Sequence, residues 1–121
     1  MPGVTKVLVV DDDPVIVRLL RVNFEMEGYE VATAADGEEG MTAVRADRPD
    51  VIVSDVMMPR LDGLAFATAL KADPSLATVP IILLSAKAQN ADIDAGLEIA
   101  DDYVTKPFDP LELLDRVAAL L

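Results

Sequence analysis

The length, composition and charge of the chain exclude several classes of protein. Its 121 residues, 52% of them hydrophobic and 26% charged, fit one globular domain, which we expect to span residues 1–121 without room for a second. Because the chain has neither histidine nor cysteine, it cannot build a Ser-His-Asp triad, a cysteine nucleophile, a disulfide or a typical zinc site. A net charge of -12 disfavours contact with nucleic acid or an anionic membrane, so we expect proteins or cations as partners.

The sequence also predicts a cytoplasmic location. No apolar run approaches the roughly 18 residues that a membrane span needs. The first residues, Met1 to Lys6, lack the basic stretch and apolar core of a secretory signal. We expect the last helix to end near Leu121, and therefore expect no output domain in this chain.

Five short runs rich in β-branched residues alternate with helical patterns. The predicted strands are Val7–Val10, Glu30–Thr33, Val51–Ser54, Ile81–Leu84 and Tyr103–Thr105. The first, third and fourth runs are almost continuously apolar, which is typical of central parallel strands, whereas the second and fifth are more polar, which favours edge positions. Regular strand and helix alternation predicts an α/β fold: a doubly wound, five-stranded parallel sheet with helices on both faces.

The helices are predicted from apolar periodicity and from start signals. The apolar face of the first helix is predicted to contain Val15, Leu19, Val22 and Met26, and that of the last helix Leu111, Leu114, Ala118 and Leu121. In Asp13-Pro14 and Asp109-Pro110 a capping carboxylate precedes a proline at the first helical position, and Glu112 follows as in a capping box. The three helices between them are expected to open at Asp36, to lie near Leu64 to Lys71, and to lie near Asn90 to Glu98.

Polar residues directly follow four of the predicted strands. They are Asp11-Asp12-Asp13, Asp55, Ser85 and Lys106. The carboxyl ends of parallel strands meet at one rim of the sheet, where open α/β folds bind ligands. Carboxylates brought together there require a counter-charge, which Lys106 and a hard cation such as Mg²⁺ would supply. With its charge balanced in this way, an ionised aspartate could attack a phosphorus atom without a general base.

Each of these residues also has a simpler structural interpretation. Asp13 is predicted to be a helix cap, because of the Asp-Pro pair. Taken alone, Asp55 could be a turn residue, Ser85 could cap a helix, and Lys106 could be a solvated surface lysine. Asp11 is harder to explain by capping or solvation, as is Asp12, so the joint placement favours a site.

Four motifs, in order, resemble the receiver domain of bacterial response regulators, the CheY-like superfamily. The matching segments are Val7–Asp13, Val53–Pro59 with Leu61–Gly63, Leu84–Ala86, and Asp101–Phe108. The resemblance covers the chain from about Lys6 to Leu121. It implies a flavodoxin-like sheet with strand order 2-1-3-4-5 and five helices.

The resemblance also implies a role for each residue of the site. Asp55 would accept a phosphoryl group from a sensor histidine kinase or phosphotransfer protein. Asp12, Asp55 and the backbone carbonyl of Met57 would hold Mg²⁺, with Asp11 bound through coordinated water. Lys106 and Ser85 would contact phosphoryl oxygens, Tyr103 would switch rotamer in response to Ser85, and the Lys106-Pro107 peptide would be cis. The chain would then be a phosphorelay switch that changes its binding to a downstream protein, not a turnover enzyme.

Several positions differ from the commonest pattern of this family. Ile99 stands where many relatives have glycine, so we expect the loop before Asp101 to lack the usual left-handed turn. Arg116 is present in the last helix, but Ala118 and the leucines after it supply no further charge for a helix-mediated dimer. We therefore expect a monomer or a weak, phosphorylation-dependent dimer. The lifetime of the phosphorylated state would depend on Met57 and Lys87, which vary among relatives.

Two alternatives remain open at this point. Asp11-Asp12-Asp13-Pro14-Val15 matches the Asp-x-Asp-x-Thr/Val motif of haloacid-dehalogenase-like phosphatases, in which Asp11 would be the nucleophile and Asp13 the acid-base group. The chain leaves no room for a cap domain, however, and that mechanism gives Asp55 no role. The other alternative is a degenerate receiver that binds a partner without being phosphorylated, although every residue of the acceptor site is present.

Overall fold

The computed structural model describes residues 4–58, 60–85, 100–106 and 108–121 and contains one five-stranded sheet. The strands are β1 (Lys6–Val10), β2 (Glu30–Ala34), β3 (Val51–Asp55), β4 (Ile81–Ser85) and β5 (Asp102–Thr105). All neighbouring strands are parallel, and their order is β2-β1-β3-β4-β5. The predicted parallel sheet and its 2-1-3-4-5 order are therefore confirmed.

The burial of each strand follows from its position in the sheet. β3 and β4 are buried along their whole length, and β1 is buried from Val7 onward, since neighbours and helices cover these strands on all sides. β2 and β5 lie at the two edges and retain exposed positions, which confirms the prediction from their more polar sequences.

Four helices lie within the described residues. They are α1 (Pro14–Met26), α2 (Gly37–Ala46), α3 (Gly63–Ala72) and α4 (Pro110–Leu120). Each is capped by an aspartate that accepts an amide hydrogen bond from the first turn: Asp13, Asp36, Asp62 and Asp109. The cap at Asp62 was not predicted, and Glu112 pairs with Arg116 instead of joining the cap at Asp109.

Two hydrophobic clusters cover the two faces of the sheet. One packs α2 and α3, through residues such as Met41 and Phe66, against alternate strand residues including Leu8 and Ile52. The other packs α1 and α4 against the intervening strand residues. Because successive strand residues point to opposite faces, one strand contributes to both clusters. The helices thus lie on both sides of the sheet, as a doubly wound fold requires.

The predicted apolar faces of the first and last helices are wrong. Val15, Leu19, Val22 and Met26 are exposed, whereas Leu20 and Phe24 carry the buried face of α1. In α4, Leu113 and Val117 are buried, whereas the predicted Leu111, Ala118 and Leu121 are exposed and Leu114 is half-buried. Both helices carry apolar side chains on more than one face. Periodicity alone therefore could not identify the face that packs against the sheet.

Some expectations concern residues that the structure does not describe. The predicted helix near Asn90 to Glu98, the turn at Ile99 and the side chain of Lys87 lie outside the described residues, as does Pro107 of the expected cis peptide. Within the described ranges, no helix has the length and apolar character needed to cross a membrane.

Candidate functional site

Three charged side chains from separate strands meet at the carboxyl edge of the sheet. Asp11 directly follows β1, Asp55 ends β3, and Lys106 directly follows β5. The Lys106 ammonium lies 3.2 Å from the Asp11 carboxylate and 3.3 Å from that of Asp55. The side chain of Asp11 is fully buried, that of Asp55 is 8% exposed, and that of Lys106 is 20% exposed. The fold therefore joins residues separated by as many as 95 positions in sequence into one partly dehydrated cluster.

A third carboxylate completes an oxygen-rich group. One carboxylate oxygen from each of Asp11, Asp12 and Asp55 lies within 4.8 Å of the other two, and Asp12 is exposed to solvent. Magnesium and calcium prefer such oxygen donors, whereas zinc prefers nitrogen and sulfur. These three residues therefore fit a hard divalent cation whose remaining positions would be filled from the solvent side.

The environment of Asp55 disfavours its ionised form. Burial raises the pKa of the Asp55 carboxyl, and the charge of Asp11 raises it further, while Lys106 and the amide of Val56 oppose this effect. Burial acts to lower the pKa of Lys106, but Asp11 and Asp55 outweigh it and raise that pKa overall. Because its pKa is raised, Lys106 remains protonated and positively charged. The carboxylates around it still outnumber it, and this excess of negative charge favours the binding of a second cation.

The backbone around the cluster is held by short hydrogen bonds. Oδ1 of Asp11 accepts the amide of Asp13 at 2.9 Å, and Oδ1 of Asp55 accepts the amide of Val56 at 3.0 Å. Gly63 lies directly against the strand end: its amide donates to the Val56 carbonyl at 2.9 Å, and a Cβ at Gly63 would overlap the Asp55 carbonyl oxygen. The acceptor strand and the start of α3 are therefore in contact through backbone atoms.

The other predicted residues are distributed around this centre. Ser85 is buried at the end of β4, and its carbonyl accepts the Lys106 amide at 2.6 Å. Met57 is exposed, two residues beyond Asp55. Tyr103 packs against the cluster of α2 and α3, and its hydroxyl is buried without a hydrogen-bond partner among the described residues.

Asp13 is not part of this centre. Its carboxylate accepts the Val15 amide at 2.9 Å and caps α1, so the predicted capping role is confirmed. The phosphatase alternative needed Asp13 as an acid-base group beside Asp11. The group of three carboxylates contains Asp12 in place of Asp13.

One contact beside the site was missed by the sequence analysis. Arg60, in the loop between β3 and α3, donates from Nη1 to Oδ2 of Asp36 at 2.6 Å. Asp36 was predicted only as the start of a helix, and no short-range pattern connects it to an arginine 24 residues later. Only the packing of that loop against α2 brings the two side chains together.

The protein is thus a doubly wound α/β domain with three carboxylates and a lysine clustered at the carboxyl edge of its sheet. Residues 7–118 match the response regulator receiver domain. This chain belongs to the response regulator receiver domain family.

Curated relatives with transcriptional roles match almost all of this chain. It is 48% identical to the alkaline phosphatase synthesis transcriptional regulatory protein PhoP of Bacillus subtilis, over 96% of this chain and 48% of that protein. It is 44% identical to the DNA-binding response regulator MtrA of Mycolicibacterium smegmatis, over 96% of this chain and 50% of that protein. The chain therefore spans about half the length of these relatives.

Solved structures of receivers have the same fold. The chemotaxis response regulator CheY4 of Vibrio cholerae is 34% identical, with a TM-score of 0.91, covering 98% of this chain and 100% of that one. The receiver domain of the Francisella response regulator 1452 is 39% identical, with a TM-score of 0.89, covering 96% and 95%. The family named by the sequence resemblance is thus confirmed.

Proposed function

We propose that this chain is a Mg²⁺-dependent phosphoacceptor switch that takes a phosphoryl group from a histidine kinase onto Asp55. The observation that carries the proposal is the position of the Lys106 ammonium, 3.2 Å from Asp11 and 3.3 Å from Asp55, beside the third carboxylate of Asp12. Such an arrangement supplies a nucleophile, a fixed cation and a site for a second cation within one pocket.

The proposed reaction transfers a phosphoryl group between two side chains. A carboxylate oxygen of Asp55 attacks the phosphorus of a phosphohistidine on the partner, forming an O–P bond. The N–P bond breaks, and its electron pair remains on the imidazole nitrogen, which then takes a proton. The protein needs no general base, because the nucleophile is used as a carboxylate. Its contribution is to position the reactants and to stabilise the charge of the transferred group.

Magnesium is the metal that we assign to the pocket. Asp12, Asp55 and the backbone carbonyl of Met57 would hold it, and Asp11 would bind through a coordinated water. When bound, Mg²⁺ would reduce the repulsion between the carboxylates and the incoming phosphoryl oxygens. The donor set supports this assignment, because three carboxylate oxygens within 4.8 Å suit a hard ion.

Lys106 and Ser85 would receive the phosphoryl oxygens. The Lys106 ammonium already pairs with the Asp55 carboxylate. It would therefore be close enough to pair with an oxygen of the phosphoryl group once that group is attached to Asp55. The backbones of Ser85 and Lys106 are joined by the bond from the Lys106 amide to the Ser85 carbonyl. That link supports a concerted response of the two residues to phosphorylation.

Tyr103 would carry the change to the protein surface. A buried hydroxyl that has no partner among the described residues is in an unfavourable position, which supports a side chain with a second rotamer. Phosphorylation adds roughly one negative charge at Asp55, and an inward movement of Ser85 would be followed by Tyr103. The surface of β5, α4 and the segment before β5 would then bind a downstream partner differently.

We assign the whole of residues 1–121 to one receiver domain that acts in the cytoplasm. Its partners would be a sensor histidine kinase or phosphotransfer protein and a downstream protein target. The charge of -12 argues against direct nucleic-acid contact by this domain and against membrane contact. The domain would be a monomer or a weak phosphorylation-dependent dimer. Each molecule would accept one phosphoryl group per activation, so the domain would act as a switch and not as a turnover enzyme.

The assignment can be tested with a small phosphodonor. The protein is incubated with acetyl phosphate, with or without Mg²⁺, and the added phosphoryl group is located by intact mass and peptide mapping. We expect one modification that requires Mg²⁺ and is lost in Asp55→Asn but kept in Asp115→Asn, a change of an exposed carboxylate on α4. A modification on Asp11, or none in the parent protein, would refute the proposal.

The coupling can be tested separately in Ser85→Ala. Beryllofluoride mimics the phosphoryl group, and the NMR signals of Tyr103 and α4 report the surface response. We expect Ser85→Ala to bind beryllofluoride at Asp55 while the response at Tyr103 is much reduced. An unchanged response would remove Ser85 from the proposed switch.

A further inference from the structure

We propose that the ion pair between Arg60 and Asp36 is a positioning device that sets the affinity of the acidic pocket for Mg²⁺. The inference rests on the proposed function, because it concerns the loop that carries Met57. Neither residue belongs to the group of three carboxylates, so both would act through the backbone between β3 and α3.

The backbone of Arg60 indicates that this loop is held in place by contacts. Arg60 has a φ of 62°, and among the described residues other than glycine it is the one with a positive value. Residues with a Cβ rarely adopt this left-handed conformation unless surrounding interactions maintain it. The Arg60 side chain supplies one such interaction, through its 2.6 Å contact with Asp36.

Asp36 is a rigid anchor for that contact. Its side chain is 2% exposed, and its other oxygen, Oδ1, accepts the Glu39 amide at 2.9 Å and caps α2. The hydrogen bond from Glu39 lowers the pKa of Asp36, with further support from Arg60 and with desolvation opposing both. Asp36 is therefore ionised at neutral pH, and its carboxylate cannot move without releasing the start of α2.

A second contact fixes the same loop at the next residue. The amide of Gly37 donates to the Leu61 carbonyl at 2.9 Å, and a Cβ at Gly37 would overlap that oxygen. Two successive residues of the loop are thus bound to two successive residues of the α2 start. The hydrogen bond from the Gly63 amide to the Val56 carbonyl joins the two ends of the loop.

Met57 lies inside the segment that these contacts enclose. It follows Asp55 by two residues and precedes Arg60 by three. Its side chain is exposed and does not pack in the hydrophobic core. The position of its carbonyl therefore depends on the ends of the loop. Loss of the Arg60 contact would let this part of the loop sample other conformations, and a metal ion would have to select the productive one.

The experiment measures Mg²⁺ binding directly, without a phosphodonor, by NMR titration of Arg60→Gln, Asp36→Asn and the double variant. Asparagine caps a helix as well as aspartate, so Asp36→Asn keeps α2 while it removes the charge. Because the Arg60 side chain is 63% exposed, water partly screens the ion pair, and we expect the Kd for Mg²⁺ to rise about threefold to fivefold in each single variant, with little further rise in the double variant. The rate of acetyl phosphate labelling at saturating Mg²⁺ should stay within about twofold of the parent, because the acceptor itself is unchanged.

Three further variants separate the ion pair from other effects. Arg48→Gln makes the same charge change at the opposite end of the sheet, where Arg48 contacts Ser75 and Thr78, and should bind Mg²⁺ like the parent. Arg60→Lys should recover most of the affinity, since only one nitrogen makes the contact. Arg60→Gly suits the positive φ but lacks the ion pair, so it should bind as weakly as Arg60→Gln.

The outcomes are distinct for this inference and for the proposed function. Parental affinity in Arg60→Gly or Asp36→Asn would overturn the positioning role while leaving the phosphoacceptor function intact. Equal weakening in Arg48→Gln would also overturn it, because loss of an arginine far from the loop would then have the same effect as loss of the Arg60 contact. A parent protein that binds no Mg²⁺ would contradict the proposed function together with the inference.

Discussion

Replacement of Asp55 by asparagine should stabilise the metal-free protein, although it removes the proposed acceptor. The ionised form of Asp55 is disfavoured in the folded state, because burial raises its pKa and Asp11 raises it further. Asparagine has nearly the same shape and can still accept the amide of Val56, but it carries no charge. The variant therefore removes an electrostatic penalty while keeping the packing at the end of β3.

The size of this effect follows from the distances in the pocket. Carboxylate oxygens of Asp11 and Asp55 lie within 4.8 Å of each other, so with an effective dielectric constant of about 20 their repulsion is about 3.5 kcal/mol or more. Attraction between Asp55 and Lys106 at 3.3 Å is about 5 kcal/mol. Desolvation of the largely buried carboxylate opposes this small net attraction by several kcal/mol. We therefore expect the free energy of unfolding to rise by about 1–2 kcal/mol, or roughly 4–8 °C in Tm.

The effect should depend on pH and on metal. Because the folded-state pKa is raised, protonation of Asp55 stabilises the fold fully below the ordinary value of 3.8, and that stabilisation is lost as the pH rises through the folded-state pKa. The advantage of Asp55→Asn should thus be largest near neutral pH and shrink in acid. Mg²⁺ at ten times its Kd should stabilise the parent by about 1.4 kcal/mol and so remove most of the difference.

Urea unfolding followed by circular dichroism, in EDTA and in Mg²⁺, measures these changes. Asp115→Asn serves as the control, because it removes a charge from the exposed surface of α4. Its free energy of unfolding should change by less than about 0.5 kcal/mol. A metal-free Asp55→Asn variant that is less stable than the parent at neutral pH would refute the electrostatic reasoning.

Four other substitutions test the packing of the helices and of the strand end by urea unfolding. Gly63→Ala should lower the free energy of unfolding by about 3 kcal/mol or more, because the new Cβ overlaps the carbonyl of Asp55; a loss below 1 kcal/mol would contradict this close approach. Leu113→Ala should lower it by about 2–5 kcal/mol and Leu111→Ala by less than about 0.5, and equal losses would restore the face predicted from the sequence. Asp13→Ala should lower it by about 0.5–2 kcal/mol through loss of the cap, with Mg²⁺-dependent labelling retained; abolished labelling would return Asp13 to the site.

The sheet and the positions of its charged residues could be predicted from the sequence because both depend on short patterns. A β-branched run followed by an acid or a lysine gives both the strand and its carboxyl end. Parallel topology then places all such ends at one edge, so the meeting of Lys106 with Asp11 could be anticipated despite their separation. The caps at Asp13 and Asp109 were equally local, since each depends on the proline that follows it.

The features that the sequence did not reveal depend on packing between elements. α1 has apolar side chains around much of its circumference, and only contact with the sheet selects Leu20 and Phe24 over Val15 and Met26. The ion pair of Arg60 has no sequence signature, because it requires a particular loop conformation and the arrangement of α2 beside it. Burial direction and loop contacts are properties of the assembled fold.

The wide separation of Asp11 and Lys106 along the chain has a consequence for protein synthesis. During synthesis, Asp11 and Asp55, at the ends of β1 and β3, leave the ribosome well before Lys106, which follows β5. During that interval the pocket contains only like charges, so it lacks the ammonium group that would receive phosphoryl oxygens. Under the proposed function, a nascent chain would therefore be a poor phosphoryl acceptor until β5 has joined the sheet.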